Sequence, residues 1–337
     1  MRMDSAYFWF RLFETRGIGP KSLINITKIF ERNNLTPNDI PMNKRELTTN
    51  YPELAKILVD KIQFDDRERI YQEYEELRAE GIEILYPGHP YYPLKFLWYS
   101  ERYNISPVLF CKGYLPLFCS DGIAIVGSRN VSEEGEQFAQ QIASEIAKSG
   151  LNVISGYAKG VDSNAHIGAL QAEGTTTIVL SYGIKEFRKK NDFKNYAWDQ
   201  NMLIVSQFEP NTKWIARNAM ARNKLVCALS KGIVVIEAGL EKDDTGKMSG
   251  TFAAGKTAIE MKLPLFVMDP SYFKNSPKGN YDLIRYGGIK IDPINGANTI
   301  IKQISRINPT PIVENHNELL LQTELFHDRT LQPLTMA

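Results

Sequence analysis

The residues of this sequence that could do chemistry fall in four short polar segments, and each suits holding an anion better than making a bond. In "IAIVGSRN" (123–130) an apolar run ends in Gly127, Ser128 and Arg129. A glycine there lets an anion approach backbone N–H groups, and the helix that follows adds partial positive charge. Arg129 supplies a fixed charge with forked donors. The full GxGxxG fingerprint is missing, since the next glycine is Gly135, and there is no Walker pattern. The phosphate could belong to a nucleotide or to a nucleic-acid backbone, or the stretch could be a plain turn.

In "SGYAKGVDSNAH" (155–166), Ser155, Gly156 and Gly160 surround a turn from which Lys159 projects; Asp162 is placed to cap the next helix and His166 lies within it. A single helical histidine is more often structural than catalytic. No serine or cysteine nucleophile pairs with it, so no catalytic residue is assigned. "ARNKLVCALS" (221–230) reads as the opening of a helix with Arg222, Asn223 and Lys224 at its start. "SGTFAAGKTAIE" (249–260) starts another with Ser249, Gly250 and Thr251, and carries Lys256. Cys111, Cys119 and Cys227 lack CxxC spacing and a nearby histidine cluster. They read as buried thiols in a reducing cytosol, with no zinc site or disulfide, and no metal or cofactor is expected.

The elements that must position these segments follow from hydrophobic patterning. Six apolar runs, "IAIVG" (123–127), "NVISG" (152–156), "TTIVL" (176–180), "MLIVSQF" (202–208), "GIVVIEA" (232–238) and "LPLFVMD" (263–269), alternate with helical stretches. That pattern predicts an α/β domain, a Rossmann-like, doubly wound, mostly parallel sheet whose sites lie beyond the carboxyl ends of its strands. Ser132 suits the N-cap of a helix that runs to Lys148 and stops at Gly150. Residues 1–82 read as a small helical domain. Its "GIGPKSL" turn admits either a helix-hairpin-helix or an ordinary helical hairpin. "DDRERIYQEYEELRAEG" (65–81) is a further helix. Residues 83–306 form the Rossmann-like domain, and 307–337 a tail with one short helix around "ELLLQTELF".

The formal net charge of +1 gives no global argument for nucleic acid, so a polyanion site must be a local patch. The basic run "KEFRKKNDFK" (185–194) reads as a solvated loop. No apolar run is long enough to span a membrane, and the N-terminus does not read as a signal peptide, so a cytoplasmic protein is expected.

In order, GSR, SGxAxGxDxxAH, RNxxxxxLS, EA, SGT and "KGNYDLIRYGG" (278–288) resemble the DNA-processing protein DprA (Smf) family, over roughly residues 83–291. The resemblance implies an extended Rossmann domain behind N-terminal helices. It also implies binding and protection of single-stranded DNA, loading of a RecA-type recombinase in natural transformation, and a homodimer. Arg129 matches a phosphate contact of the family, and Lys159, Arg222 and Lys256 lie in the other matched segments. The departures are "TTIVLSYGIKEFRKKND" without the usual acidic-YP ending, "MDP" (268–270) for VPG, Ala254 for a usual threonine, and no discernible C-terminal winged helix. They mark a divergent branch, for which another DNA-related task, including phage defence, is open.

The leading expectation is a non-enzymatic binder of single-stranded DNA, with Arg129, Lys159, Arg222 and Lys256 in one trough and Tyr157, Tyr182 and Phe187 as stacking platforms. The alternative is a nucleotide sensor or a nucleotide-processing protein similar to the LOG family. Against the enzyme, Gly250 and Thr251 match GGxGTxxE, but Ala254 stands at the catalytic glutamate, leaving only Glu237 or Glu260 as substitutes. A third reading is an oligomeric adaptor with a vestigial groove.

Overall fold

Short β-branched runs bounded by glycines are buried on both faces when helices cover them, and here they assemble into one sheet. The computed structural model describes residues 4–40, 44–61, 67–196, 198–242, 244–246 and 248–306. Its strands are β1 (Glu83–Leu85), β2 (Leu109–Gly113), β3 (Gly122–Val126), β4 (Asn152–Ser155), β5 (Thr176–Val179), β6 (Met202–Ser206), β7 (Gly232–Val235), β8 (Leu265–Met268) and β9 (Ile289–Ile291). Their order is β1-β2-β6-β5-β4-β3-β7-β8-β9. From β6 to β9 all pairs are parallel; β2 joins β6, and β1 joins β2, antiparallel. All six runs named above form strands. The three additional strands, β1, β2 and β9, lie on the flanks of the sheet, and two of them have only three residues.

The helices are α1 (Ser5–Glu14), α2 (Pro20–Asn33), α3 (Lys44–Asn50), α4 (Pro52–Leu58), α5 (Arg67–Ala79), α6 (Leu94–Tyr103), α7 (Glu133–Lys148), α8 (Val161–Gln171), α9 (Trp198–Asn201), α10 (Ala216–Leu229), α11 (Gly250–Glu260), α12 (Lys278–Arg285) and α13 (Gly296–Arg306). One face of the sheet packs against α6, α10, α11 and α12 through Phe96, Leu225, Phe252 and Leu283. The other face packs against α7, α8 and α13 through Ile142, Ala165 and Ile300. Toward β1, Trp9, Phe10, Leu54 and Tyr74 of the first helices share a core with Phe110, Ile178 and Ile204 of the sheet. The N-terminal helices therefore brace the sheet directly.

The α7 boundaries follow from the expected cap: Ser132 Oγ accepts from Gly135 N at 3.1 Å, and three glutamates occupy the first turn, where the helix dipole favours them. α10 differs from expectation. It begins at Ala216, so Arg222, Asn223 and Lys224 lie mid-helix. Ile215, its N-cap, makes no side-chain cap bond, so the sequence carries no start signal there. Of the thiols, Cys111 and Cys227 are buried, but Cys119 is exposed, with Sγ 3.1 Å from Tyr91 O. Among the described residues no helix is long and apolar enough to cross a membrane. The expected short helix around "ELLLQTELF" and the question of a winged helix lie outside the described residues.

Candidate functional site

Two turns at the carboxyl edge of the sheet lie against each other. Val161 N donates to Ser128 O at 3.2 Å, joining the turn after β4 to the turn after β3. Gly160 has φ +77°, and a Cβ there would stand 2.8 Å from Arg129 O, so only glycine suits both the backbone and the approach. Gly127 is packed equally closely, with the place of its missing Cβ 2.7 Å from Val161 Cβ. Next to this junction, Gly156 leaves room for the guanidinium of Arg222, which reaches in from α10. Between these parts lies a cleft of about 350 Å³. Arg129 and Asn130 line it after β3, Tyr157, Ala158 and Lys159 after β4, Ser181 and Tyr182 after β5, Trp214 just before α10 and Arg222 from the body of that helix.

The cleft is cationic and incompletely neutralised. Arg222 is buried; Nη1 donates to Val179 O at 2.9 Å, Nη2 lies 3.9 Å from Asp162 Oδ2, and among the described residues Nε has no hydrogen-bond partner. Burial lowers its pKa, Asp162 opposes that, and the like charge of Arg129 adds to it. Arg129 is exposed, with its guanidinium 5.5 Å from the centroid of the Trp214 ring, a cation–π arrangement. Among the described residues neither Arg129 nor Lys159 forms an ion pair, and no carboxylate lines the cleft. Trp214 is 50% exposed, the aromatic at the mouth that sequence reasoning missed. Its signal was a tryptophan in the polar stretch "NTKWIARN", just before a helix.

Several expected contact residues do other work. His166 has 0% exposure, with Nε2 2.6 Å from Gly156 O and Nδ1 2.6 Å from Thr176 Oγ1. Burial pushes its pKa down to about 4, so the ring is neutral. A carbonyl only accepts, so Nε2 carries the ring proton, and the Thr176 hydroxyl lies between two acceptors, Nδ1 and Val153 O at 2.7 Å, with one proton for both. His166 thus ties the end of β4 to β5 and is closed to a ligand. Ser155 is likewise buried, its Oγ donating to Ile125 O at 2.6 Å. Asp162 does not cap α8, whose N-cap is Gly160; its carboxylate accepts from Ala158 N at 3.2 Å and faces Arg222.

The three consecutive residues of α10 point in different directions, as about 100° per residue requires. Arg222 faces the cleft, Asn223 Nδ2 donates to Gly250 O at 3.0 Å, and Lys224 Nζ donates to Tyr103 O at 3.2 Å. Ser249 caps α11, accepting from Phe252 N at 3.2 Å. Lys256 pairs with Glu241 at 2.8 Å and lies over the Tyr286 ring. Ser249, Gly250, Thr251 and Lys256 are not among the residues lining the cleft. The expected trough of four cations therefore contains three, Arg129, Lys159 and Arg222.

A second correction concerns the start of α7. Glu237, at the end of β7, accepts from Ser132 N at 3.0 Å and from Ser132 Oγ at 2.7 Å. The protein's own carboxylate thus fills the anion position between β3 and β7, where the winding of the sheet reverses. The open cleft lies to one side, over β3, β4 and β5. Glu260 is exposed, and Ala254 is packed in the core, where a glutamate would have no access to a ligand. Among the described residues no group of three or more His, Cys, Asp or Glu could hold a metal ion.

The basic run 185–194 is more engaged than a solvated loop. Lys190 Nζ donates to Tyr157 O at 3.1 Å, Ala158 O at 3.2 Å and Ser163 Oγ at 2.9 Å, and burial lowers its pKa. Lys185 pairs with Glu76 of α5 at 3.1 Å and with Glu80, just after that helix, at 3.4 Å. The loop thereby fastens the turn that carries Lys159. Tyr157 packs against Phe187 and Phe193 with Lys190 Nζ 4.2 Å above its ring, which leaves it less free to stack than Trp214. Tyr182 is half-buried, and burial raises its phenol to about 12.

The family model described as DNA recombination-mediator protein A matches residues 83–305. Protein Smf from Synechocystis is 26% identical over 330 residues, which cover 94% of this chain and 76% of that protein. The structure of DNA processing protein A from Streptococcus pneumoniae matches with a TM-score of 0.67 at 22% identity, over 90% of this chain and 99% of that one, a likeness of fold. DNA processing protein A from Helicobacter pylori, studied for its single-stranded DNA binding mode, matches with a TM-score of 0.50 at 28% identity. That match covers 58% of this chain and 87% of the other.

Proposed function

As the chain belongs to the DNA recombination-mediator protein A family, we propose that its cleft binds single-stranded DNA and does no chemistry on it. The observation that carries this reading is the meeting of Arg129, Lys159 and Arg222 beside the exposed Trp214, with no carboxylate in the lining. Cations hold the phosphates and an aromatic face takes a base, the combination by which single strands are bound with little regard to sequence. Residues 83–306 supply this site, and the helices of 1–82 stiffen it from the side. The glycosidase-like alternative lacks support, because position 254 is core and the Glu237 carboxylate is committed to Ser132.

Family membership extends the proposal to a cytoplasmic protein that protects strands and passes them to a RecA-type recombinase, in DNA uptake, recombination or phage defence. It also extends it to a homodimer, for which Met248, Tyr281 and Tyr286 offer exposed apolar surface near α11 and α12. Fluorescence anisotropy with labelled oligonucleotides tests the core of the reading. Single strands are expected to bind more tightly than duplex, and Trp214→Ala to cost about 1–3 kcal/mol for the stacked base. Equally weak binding of both at moderate salt would overturn it.

A further inference from the structure

We infer, on the basis of that DNA-binding reading, that the cleft takes a nucleotide bearing a phosphomonoester: a phosphorylated strand end or a free nucleoside monophosphate. Size is the first ground. A cleft of about 350 Å³ lies at the small end of ligand sites, a size suited to a single nucleotide. Charge is the second. Arg129, Lys159 and Arg222 bring three positive charges, and of the three cations Asp162 pairs, among the described residues, only with Arg222, at 3.9 Å. The balance is about two positive charges. A bridging phosphodiester carries one negative charge, whereas a phosphomonoester carries about 1.5 to 2 at neutral pH.

The third ground is Arg222 itself. A buried guanidinium normally has its N–H groups satisfied, yet among the described residues Nε has no partner and Nη2 has only a loose one. The like charge of Arg129 raises the cost of keeping Arg222 ionised, so the site is short of negative charge as it stands. A dianion between Arg129, Lys159 and the edge of Arg222 supplies what Asp162 leaves uncompensated. Trp214, over which Arg129 already lies, is then the face for the base of the same nucleotide. The alternative anion position, at the start of α7, is closed by Glu237.

The test compares oligonucleotides of about ten nucleotides of one sequence, with hydroxyl ends, a 5′-phosphate or a 3′-phosphate, alongside a circular single strand and free dTMP as competitor. One phosphorylated end is expected to bind about tenfold more tightly than the hydroxyl-ended strand, as one added charge-assisted contact implies. The preference should vanish in Arg129→Ala/Lys159→Ala and persist in Lys148→Ala, at the far end of α7. Displacement by dTMP would identify a soluble nucleotide as the ligand; a phosphate preference without it would identify the strand end. Equal affinity for hydroxyl-ended, phosphorylated and circular strands, with no effect of dTMP, would overturn this inference and leave strand binding standing. Binding of dTMP but of no strand would overturn the DNA reading and keep the phosphomonoester site. Binding of neither would overturn both.

Discussion

Replacing Gly156 with alanine tests whether the cleft depends on where Arg222 lies. A Cβ at position 156 would stand 2.5 Å from Arg222 Cζ and closer still to Nη1, at least about 1 Å inside normal contact. The guanidinium and the Asp162 carboxylate beside it must move, because the backbone at 156 is held by the bond from His166 Nε2 to Gly156 O. Moving the guanidinium breaks the 2.9 Å bond from Nη1 to Val179 O and opens the pair with Asp162. A hydrogen bond from a charged group is worth about 1.5–3 kcal/mol, and a buried ion that loses its partner adds to that. We expect Gly156→Ala to lower stability by about 2–4 kcal/mol and to weaken DNA binding at least tenfold, roughly the value of one charge-assisted contact. Urea unfolding should show a lower midpoint at unchanged slope. In an Arg222→Ala background one collision partner is gone and the Asp162 carboxylate, the other, is released from its pair and free to turn away, so the added cost of the alanine should fall, a coupling that a double-mutant cycle reads directly. A Gly156→Ala protein within about 0.5 kcal/mol of the parent, with unaltered DNA affinity, would refute the packing argument.

Lys190→Met removes the donor to Tyr157 O, Ala158 O and Ser163 Oγ, so limited proteolysis should cut within 184–196 faster, and DNA affinity should fall with the loosened Lys159 turn. The His166 pKa is depressed to about 4 by burial, so its contribution is complete above the ordinary pKa of about 6.5 and is lost as pH falls toward 4. That loss amounts to about 3 kcal/mol, and NMR titration should find the ring neutral at pH 5. Glu14 behaves in the opposite sense. Burial first, then Glu209 and Glu73, raise its pKa to about 7 against the pull of Arg69, so the fold prefers the protonated acid. Stability should fall as pH rises from 4.5 through 7, and Glu14→Gln should gain roughly 1–2 kcal/mol at pH 8, after discounting for solvent screening, and nothing at pH 4. Thermal unfolding of both proteins across pH checks this.

Much of the frame is legible because its signals are local. Apolar runs of five to seven residues mark six strands, and Ser132 with three following glutamates marks the start of α7. The flanking strands β1 and β9, at three residues, are too short for any period to show, and β2 is recognisable only by its pairing with β6. The site was partly legible for the same reason. Arg129 and Lys159 sit on turns directly after strands, so sequence position fixes their place on the rim. The pattern of "ARNKLVCALS" puts Arg222 at a helix start, whereas it lies mid-helix, where its side chain reaches the cleft. The residues beside it, Asn223 and Lys224, were drawn away by helical geometry. The pairing of Glu237 with Ser132 spans 105 positions, and no local pattern announces it. Trp214 stood in plain view, but its exposure is a tertiary fact.

Salt dependence of single-strand binding tests the central claim most directly. For single strands, each phosphate neutralised contributes about 0.7 to the slope of log affinity against log salt. If Arg129 and Lys159 together neutralise about two phosphate charges of the strand, Arg129→Ala/Lys159→Ala should bind more weakly and with a slope shallower by about 1.4. Parallel lines for the two proteins at the same affinity would mean that the strand is bound elsewhere.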